Sequence, residues 1–330
     1  MAVTIAEIQK LRTMTGAGMM DCKKALEEAG ADMEKAIELI RKRGQAIAAK
    51  RSDREAAEGC VVAKSNGNFA ALLALKCETD FVAKNEDFVA LTKLILDAAI
   101  DNQPANIEEL RAIKIDGRTI EELVTERSGV TGEKMSLDDY FFVKGATTTA
   151  YIHPGNKLAT IAAFAEENAE YDTIHGVAMQ IAAMSPIAID EAGVPQEVKD
   201  REMSVAIDKT KAEQVQKAVE GALRKAGFNL YIAESEEHLE EGIRKGSITE
   251  AQAEEIRQLK AKTAAEKEAN LPEQMIQNIA NGRMAKFYKE NTLLEQKYIM
   301  DESGNATVKD ALKKAGITCT DFKRFTLNQE

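Results

Sequence analysis

Along the first fifty residues, apolar positions recur at helical spacing. Thr4 followed by Glu7 fits a capping box, and Ile5, Ile8 and Leu11 then fall on one face of a helix. The Thr15-Gly16-Ala17-Gly18 turn breaks that helix, and a second runs over about 19–29. Gly30 ends it. Asp32 is placed to cap a third helix that carries Met33, Ala36, Ile37 and Ile40 inward. Residues 41–58, polar and rich in Ala, Lys and Arg, read as the end of that helix and a linker.

From Gly59 the period changes. Val61-Val62-Ala63 and an apolar run at 69–77 flank Asn66-Gly67, the dipeptide best suited to a two-residue hairpin turn. A helix over about 85–100 follows, with Phe88, Leu91, Leu94 and Ile95 inward. Residues 101–140 carry a helix from about Ile107 and another near Ile120. A second hairpin-like pair, 146–152 and 158–165, is joined through His153-Pro154-Gly155-Asn156, and a helix over about 171–184 comes after it. Hairpin, helix, hairpin, helix suggests two related α+β subdomains.

Residues 197–270 differ again: roughly two-fifths are charged, both signs interleave, and proline is absent. Met203, Ile207, Val215, Val219 and Leu223 fit helical spacing. A break follows at 227–235, and Ser247 with Glu250 offers a capping box before Ile248, Ile256 and Leu259. Past Leu271 the pattern gives a helix at 274–288, a short Tyr298-Ile299-Met300 strand, a helix at 307–315 and a last strand at 322–327. The expectation is an α+β fold. It comprises a three-helix bundle of ubiquitin-associated type (1–55), a core with antiparallel sheets in two subdomains (56–143 and 144–330), and a coiled-coil-like antiparallel helical hairpin inserted at 197–270.

Composition narrows the class. The chain has 330 residues, enough for two or three domains, and 44% hydrophobic with 30% charged residues is an ordinary globular balance. No apolar run is long enough to span a bilayer, and the N-terminus lacks the layout of a signal peptide, so the expectation is a cytosolic protein with no membrane partner. Cys22, Cys60, Cys77 and Cys319 contain no C-x-x-C pair and read as small buried hydrophobes. A net charge of −11 argues against direct binding to nucleic acid and favours a protein partner.

Enzymatic motifs fail in turn. Gly16-Ala17-Gly18 comes nearest to a phosphate loop, but Asp21 stands where its second half requires glycine. There is no H-E-x-x-H, no G-x-S-x-G and no close Cys/His set for zinc, and His153, His175 and His238 have no triad-like setting. The balance moves toward a binding protein without cofactor, metal or catalysis of its own.

Two strings are specific. Leu11-Arg12-Thr13-Met14-Thr15-Gly16-Ala17-Gly18-Met19-Met20-Asp21-Cys22-Lys23-Lys24-Ala25-Leu26 resembles the N-terminal signature of the elongation factor Ts family. Cys77-Glu78-Thr79-Asp80-Phe81-Val82-Ala83-Lys84 resembles that family's central Thr-Asp-Phe-Val-Ala motif. Tyr151-Ile152-His153 followed by Gly155, and the closing Phe322-Lys323-Arg324-Phe325, add weaker matches. The resemblance implies a guanine-nucleotide exchange factor for elongation factor Tu. Its N-terminal bundle would dock on the GTPase domain, and its Asp-Phe pair would push between two helices there, disturbing the magnesium and phosphate contacts of bound GDP. Carried over by position, the residues that meet elongation factor Tu are Arg12, Met19, Met20, Thr79, Asp80, Phe81, Val82, His153 and His175.

Pattern alone leaves other readings open. Asp80 could cap the following helix, and Phe81 could be a core or staple residue. Met19 and Met20 point about 100° apart on a helix, so at most one belongs to a narrow apolar stripe and one is free for a partner. Two departures from the family pattern stand out. Longer members carry a helix after the last core strand whose contact is expected to be missing here, and the insertion is longer than usual. In relatives the equivalent hairpin supports pairing of two complexes, which implies a possible homodimer or 2:2 assembly.

Overall fold

The computed structural model describes residues 3–328. Thr4 accepts from the Glu7 N–H and Glu7 returns the bond, so the expected capping box opens α1 (Ile5–Thr15). Gly16, at φ +69°, closes it, Gly18 begins α2 (Met19–Glu28), and Asp32 caps α3 (Met33–Lys50). Their shared core is Ile8, Leu11, Ala17, Cys22, Ala25, Leu26 and Ala36. Ile5 was expected among them but is exposed: at the first helical position its Cβ tilts off the end of the bundle. The stretch read as a linker is helical up to Lys50. Its Ala, Lys and Arg are strong helix formers, and further packing supports it below.

β1 (Glu58–Ser65) and β2 (Phe69–Cys77) form the first hairpin, through a three-residue turn rather than two, with Gly67 at φ +108°. One-turn α4 (Asp80–Ala83) and α5 (Glu86–Asn102) follow. Phe88, Leu91 and Ile95 of α5 point inward as expected, but Leu94, about 100° round from Ile95, is exposed. Next come α6 (Ile107–Ala112), the two-residue strands β3 (Lys114–Ile115) and β4 (Arg118–Thr119), and α7 (Ile120–Thr131). α3 crosses α7 at a backbone contact between Gly44 and Gly129, and Arg41 pairs with Glu126 across it at 2.8 Å.

β5 (Met135–Lys144) was not anticipated. Asp138 and Asp139 interrupt its apolar pattern, and pairing to β2 rather than its own alternation makes it a strand. Asp139 meets Lys76 of β2 at 2.7 Å. The first sheet therefore has the order β1-β2-β5. The second contains β6 (Thr147–Ile152), β7 (Leu158–Phe164) and β8 (Cys319–Thr326), in that order, all pairs antiparallel.

Burial explains why β2 and β7 are apolar throughout except for Lys76 and Thr160. One face of β1–β2, including Cys60, Val62, Leu73 and Leu75, meets α5 residues such as Phe88 and Ile95. The other face, with Val61, Leu72 and Ala74, packs on Ala159, Ile161 and Ala163 of β7. A strand covered on both sides has no polar face to show. α8 (Tyr171–Met184) covers the second sheet, and Thr160 of β7 donates to the Ala178 carbonyl at 2.8 Å.

Residues 190–295 form a separate helical unit. It comprises α9 (Gln196–Lys225), α10 (Leu230–Ala233), α11 (Glu236–Arg244), α12 (Glu250–Ala269), α13 (Glu273–Asn291) and a 3-10 turn at Leu293–Glu295. The end of α9 packs on the start of α12 through Val219, Leu223, Ala253, Ile256 and Leu259, an antiparallel pairing. Thr249 with Gln252, not Ser247 with Glu250, makes the capping box of α12. Gly246, at φ +71°, keeps the Ser247 and Ile248 N–H groups bonded back to the Gly242 carbonyl, so the helix cannot begin there.

Chain returning to the first unit holds α14 (Val308–Ala315) and β8. The short strand expected at 298–300 does not form. Lys297 makes a lone bridge with Thr307, and buried Gln180 takes the place of a strand partner. Its amide donates to Gln296 Oε1 and the Lys297 carbonyl, both at 3.1 Å, and accepts from the Ile299 N–H at 2.8 Å. All four cysteines are buried and free, as their spacing suggested.

Candidate partner-binding site

The Thr-Asp-Phe-Val string builds one turn of helix. Thr79, not Asp80, is its N-cap and accepts from the Val82 N–H. Asp80 sits in the first turn, where a negative charge suits the helix end, and meets Lys84 at 2.6 Å. That bond, helped by the more distant Lys157, holds the Asp80 carboxyl below its ordinary range. Asn85 then begins α5 by accepting from the Asp87 and Phe88 N–H groups. In this turn Ala83 is buried and Val82 packs on the core, but Phe81 is 84% exposed. It is therefore neither a core nor a staple residue. A phenyl ring held in water on a capped turn is apolar surface with no cover in this chain.

The turn is also gripped from behind by a residue that pattern reading missed. Glu133 Oε2 accepts from the Glu78 and Thr79 N–H groups at 3.2 and 3.0 Å, and its Oε1 accepts from the Thr79 hydroxyl at 2.6 Å. Reciprocally, the Glu78 carboxylate accepts from the Lys134 N–H at 2.6 Å and from Arg51 at 3.0 and 3.1 Å, which lowers its pKa. Nothing in the local string around Glu133 points to Thr79. The pairing of Cys77 with Met135 in the sheet brings the two together.

His153 and His175 lie on different elements, and Tyr151 joins them. Its hydroxyl is 3.0 Å from His153 Nδ1, and its ring meets His175 edge-on at 5.7 Å; Tyr171 stacks on His175 at 5.2 Å. His153 is exposed at the β6–β7 tip, where Gly155 takes φ +95°. This tip leans on β1: the Val61 N–H donates to the Asn156 carbonyl at 2.7 Å, and Lys157 pairs with Glu58 at 2.9 Å.

Arg12, Met19 and Met20 gather elsewhere, at the α1–α2 corner. All three are exposed; the buried positions of α2 are Cys22, Ala25 and Leu26, so neither methionine is spent on the core. Gly16 of that corner lies against Arg127 and Val130 of α7. One helix thus touches the corner and leads, through its Gly132 cap, to Glu133.

Among the described residues no helix is long and apolar enough to cross a membrane, and no group of three or more His, Cys, Asp or Glu is placed to hold a metal ion. The family model for elongation factor Ts matches residues 78–236 and 238–329, and with them the turn that carries Phe81. The chain belongs to the elongation factor Ts family. Proteins of that name from Parabacteroides distasonis and Phocaeicola vulgatus are each 60% identical to it, and one from Bacteroides thetaiotaomicron is 55% identical. In all three, the match covers the whole of both chains. Membership in this family of elongation factors places the chain in protein biosynthesis.

Proposed function

We propose that this chain is a cytosolic guanine-nucleotide exchange factor that binds elongation factor Tu and promotes release of its GDP, so that GTP can rebind. The observation that carries this reading is Phe81, exposed on a turn whose neighbours are all fixed. A GTPase keeps its nucleotide through phosphate and Mg²⁺ contacts, so release is fastest when those contacts are pushed apart. A rigid aromatic ring suits that task because it buries a large area with few rotors to freeze. Linkage supplies the energetics. A factor that binds the empty GTPase more tightly than its GDP form must weaken GDP by the same ratio.

Arg12, Met19 and Met20 would dock the α1–α2 corner on the GTPase domain, and the His153–Tyr151–His175 cluster would make a further contact. None of these groups needs to change a covalent bond. The test is release of labelled GDP from elongation factor Tu with and without this protein. Phe81→Ala is expected to cut the stimulated rate by roughly thirtyfold, the loss of one interface hot spot, with an unchanged circular dichroism spectrum. A variant as active as the parent removes the ring from the mechanism.

A further inference from the structure

We propose that Glu133 is a positioning residue for Phe81: its carboxylate, by holding the Glu78–Thr79 backbone, sets the direction in which the ring leaves the surface. This rests on the exchange reading above. The ring itself is in water and has no packing to orient it, so its direction is that of the backbone beneath. That backbone is a four-residue helix, too short to hold itself.

Glu133 provides what the turn lacks. It receives three donors, two of them consecutive main-chain N–H groups at the entrance of α4. Bonds from N–H to an ionised carboxylate are roughly twice as strong as neutral ones. The third donor, the Thr79 hydroxyl, is the same atom that caps Val82, so the grip passes directly into the helical turn. Glu133 is itself immobilised. Gly132 at φ +73° ends α7, the Ser128 hydroxyl donates to the Glu133 carbonyl, and the Glu133 N–H reaches Thr131 Oγ1 at 3.3 Å. Lys134 next to it donates its N–H to Glu78 and its ammonium to the Ser52 and Arg54 carbonyls. α7 also carries Gly129 beneath α3 of the bundle, so the wedge and the docking corner are referred to one helix.

A positioning role and a merely stabilising one part company in kinetics. Stimulated GDP release is measured against factor concentration for the parent, Glu133→Ala, Phe81→Ala and the double variant. The expected result for Glu133→Ala is a maximal rate about tenfold lower, from the lost hold on two N–H groups. Its half-saturating concentration should stay within about twofold, because the docking corner is untouched. In the Phe81→Ala background the same substitution should cost nothing further, since it acts through the ring. Glu133→Gln, which keeps an acceptor for both N–H groups and can donate to Thr79, should restore the maximal rate to within about threefold of the parent. A parental maximal rate in Glu133→Ala, or effects that multiply in the double variant, would overturn the proposal. If Phe81→Ala alone leaves release unchanged, the wedge reading falls and takes this one with it. Should Glu133→Ala not fold, Glu133→Asp, which withdraws the carboxylate by one methylene, replaces it in the same cycle with the same two overturning outcomes.

Discussion

Phe81 stands out from a turn in which every neighbour is tied, and the same tying of short loops by single carboxylates recurs in the chain. Asp301 shows it most plainly. Its Oδ2 accepts from the Asn305 and Ala306 N–H groups, both at 2.9 Å, and from the Ser303 hydroxyl at 2.7 Å. Those bonds, the Ala306 N–H foremost, pull its pKa down to about 2. An unfolded aspartate titrates near 3.9. The folded value is the lower one, so the stabilisation is complete above the unfolded value and is lost as pH falls toward about 2. The urea midpoint should therefore fall between pH 5 and pH 2.5, and it should fall less in Asp301→Asn, which has no such proton to take up. Equal slopes for the two proteins would remove Asp301 from the acid response. At this scale the sequence was informative about Asp80 and Phe81 only through the motif that contains them. Phe81 as a lone phenylalanine before a helix reads equally as core, because exposure depends on what packs nearby and not on the residue. Glu133 was invisible because its partners, two backbone N–H groups and one hydroxyl, lie more than fifty positions away, and the backbone groups carry no side-chain signature.

Elements with their own local signals were the legible ones. Thr4 with Glu7, Asn66-Gly67, Asp32 and the β6–β7 turn each announce a boundary by chemistry within a few residues; each boundary forms, although the Asn66-Gly67 turn is one residue longer than expected. β5 and the 296–299 segment were not legible, since one takes its structure from β2 and the other from Gln180. The α3–α7 crossing belongs to this second kind. It depends on Gly44 and Gly129 facing each other, yet the two positions are not equivalent. A Cβ added at Gly129 would overlap the Gly44 backbone, whereas one added at Gly44 would stand 3.4 Å from the Gly129 Cα, an ordinary contact. Gly129→Ala should thus destabilise the protein by about 1–3 kcal/mol, as overpacked cores do. Gly44→Ala should be close to neutral or slightly stabilising, because alanine favours helix. Denaturant midpoints of the two variants check the asymmetry; equal losses would mean that the helices part rather than resist.

For the whole molecule, burial of every cysteine has a chemical consequence. Desolvation raises all four thiol pKa values, with Cys77 and Cys319 each reaching about 12. Thiolate is the reactive form, so near neutral pH the folded chain should react slowly with a thiol reagent. Four equivalents should be consumed at once after denaturation. Rapid labelling of native protein would reveal an opening of the core that the packed sheets do not suggest. The same sheets explain why the core strands were legible from sequence and the topology was not: a run buried on both faces looks the same whichever strand lies beside it.

The hold of Glu133 on Glu78 and Thr79 has a consequence for heredity. Two of its three bonds grasp main-chain N–H groups, which every amino acid except proline carries. Changes of side chain at position 78 leave those two bonds intact, whereas loss of the acceptor at 133 releases both at once. The direction of the ring is therefore encoded less in the short string that contains it than in a single codon far downstream. A lineage could rewrite much of the visible motif and keep its geometry, or preserve every letter of it and lose the aim.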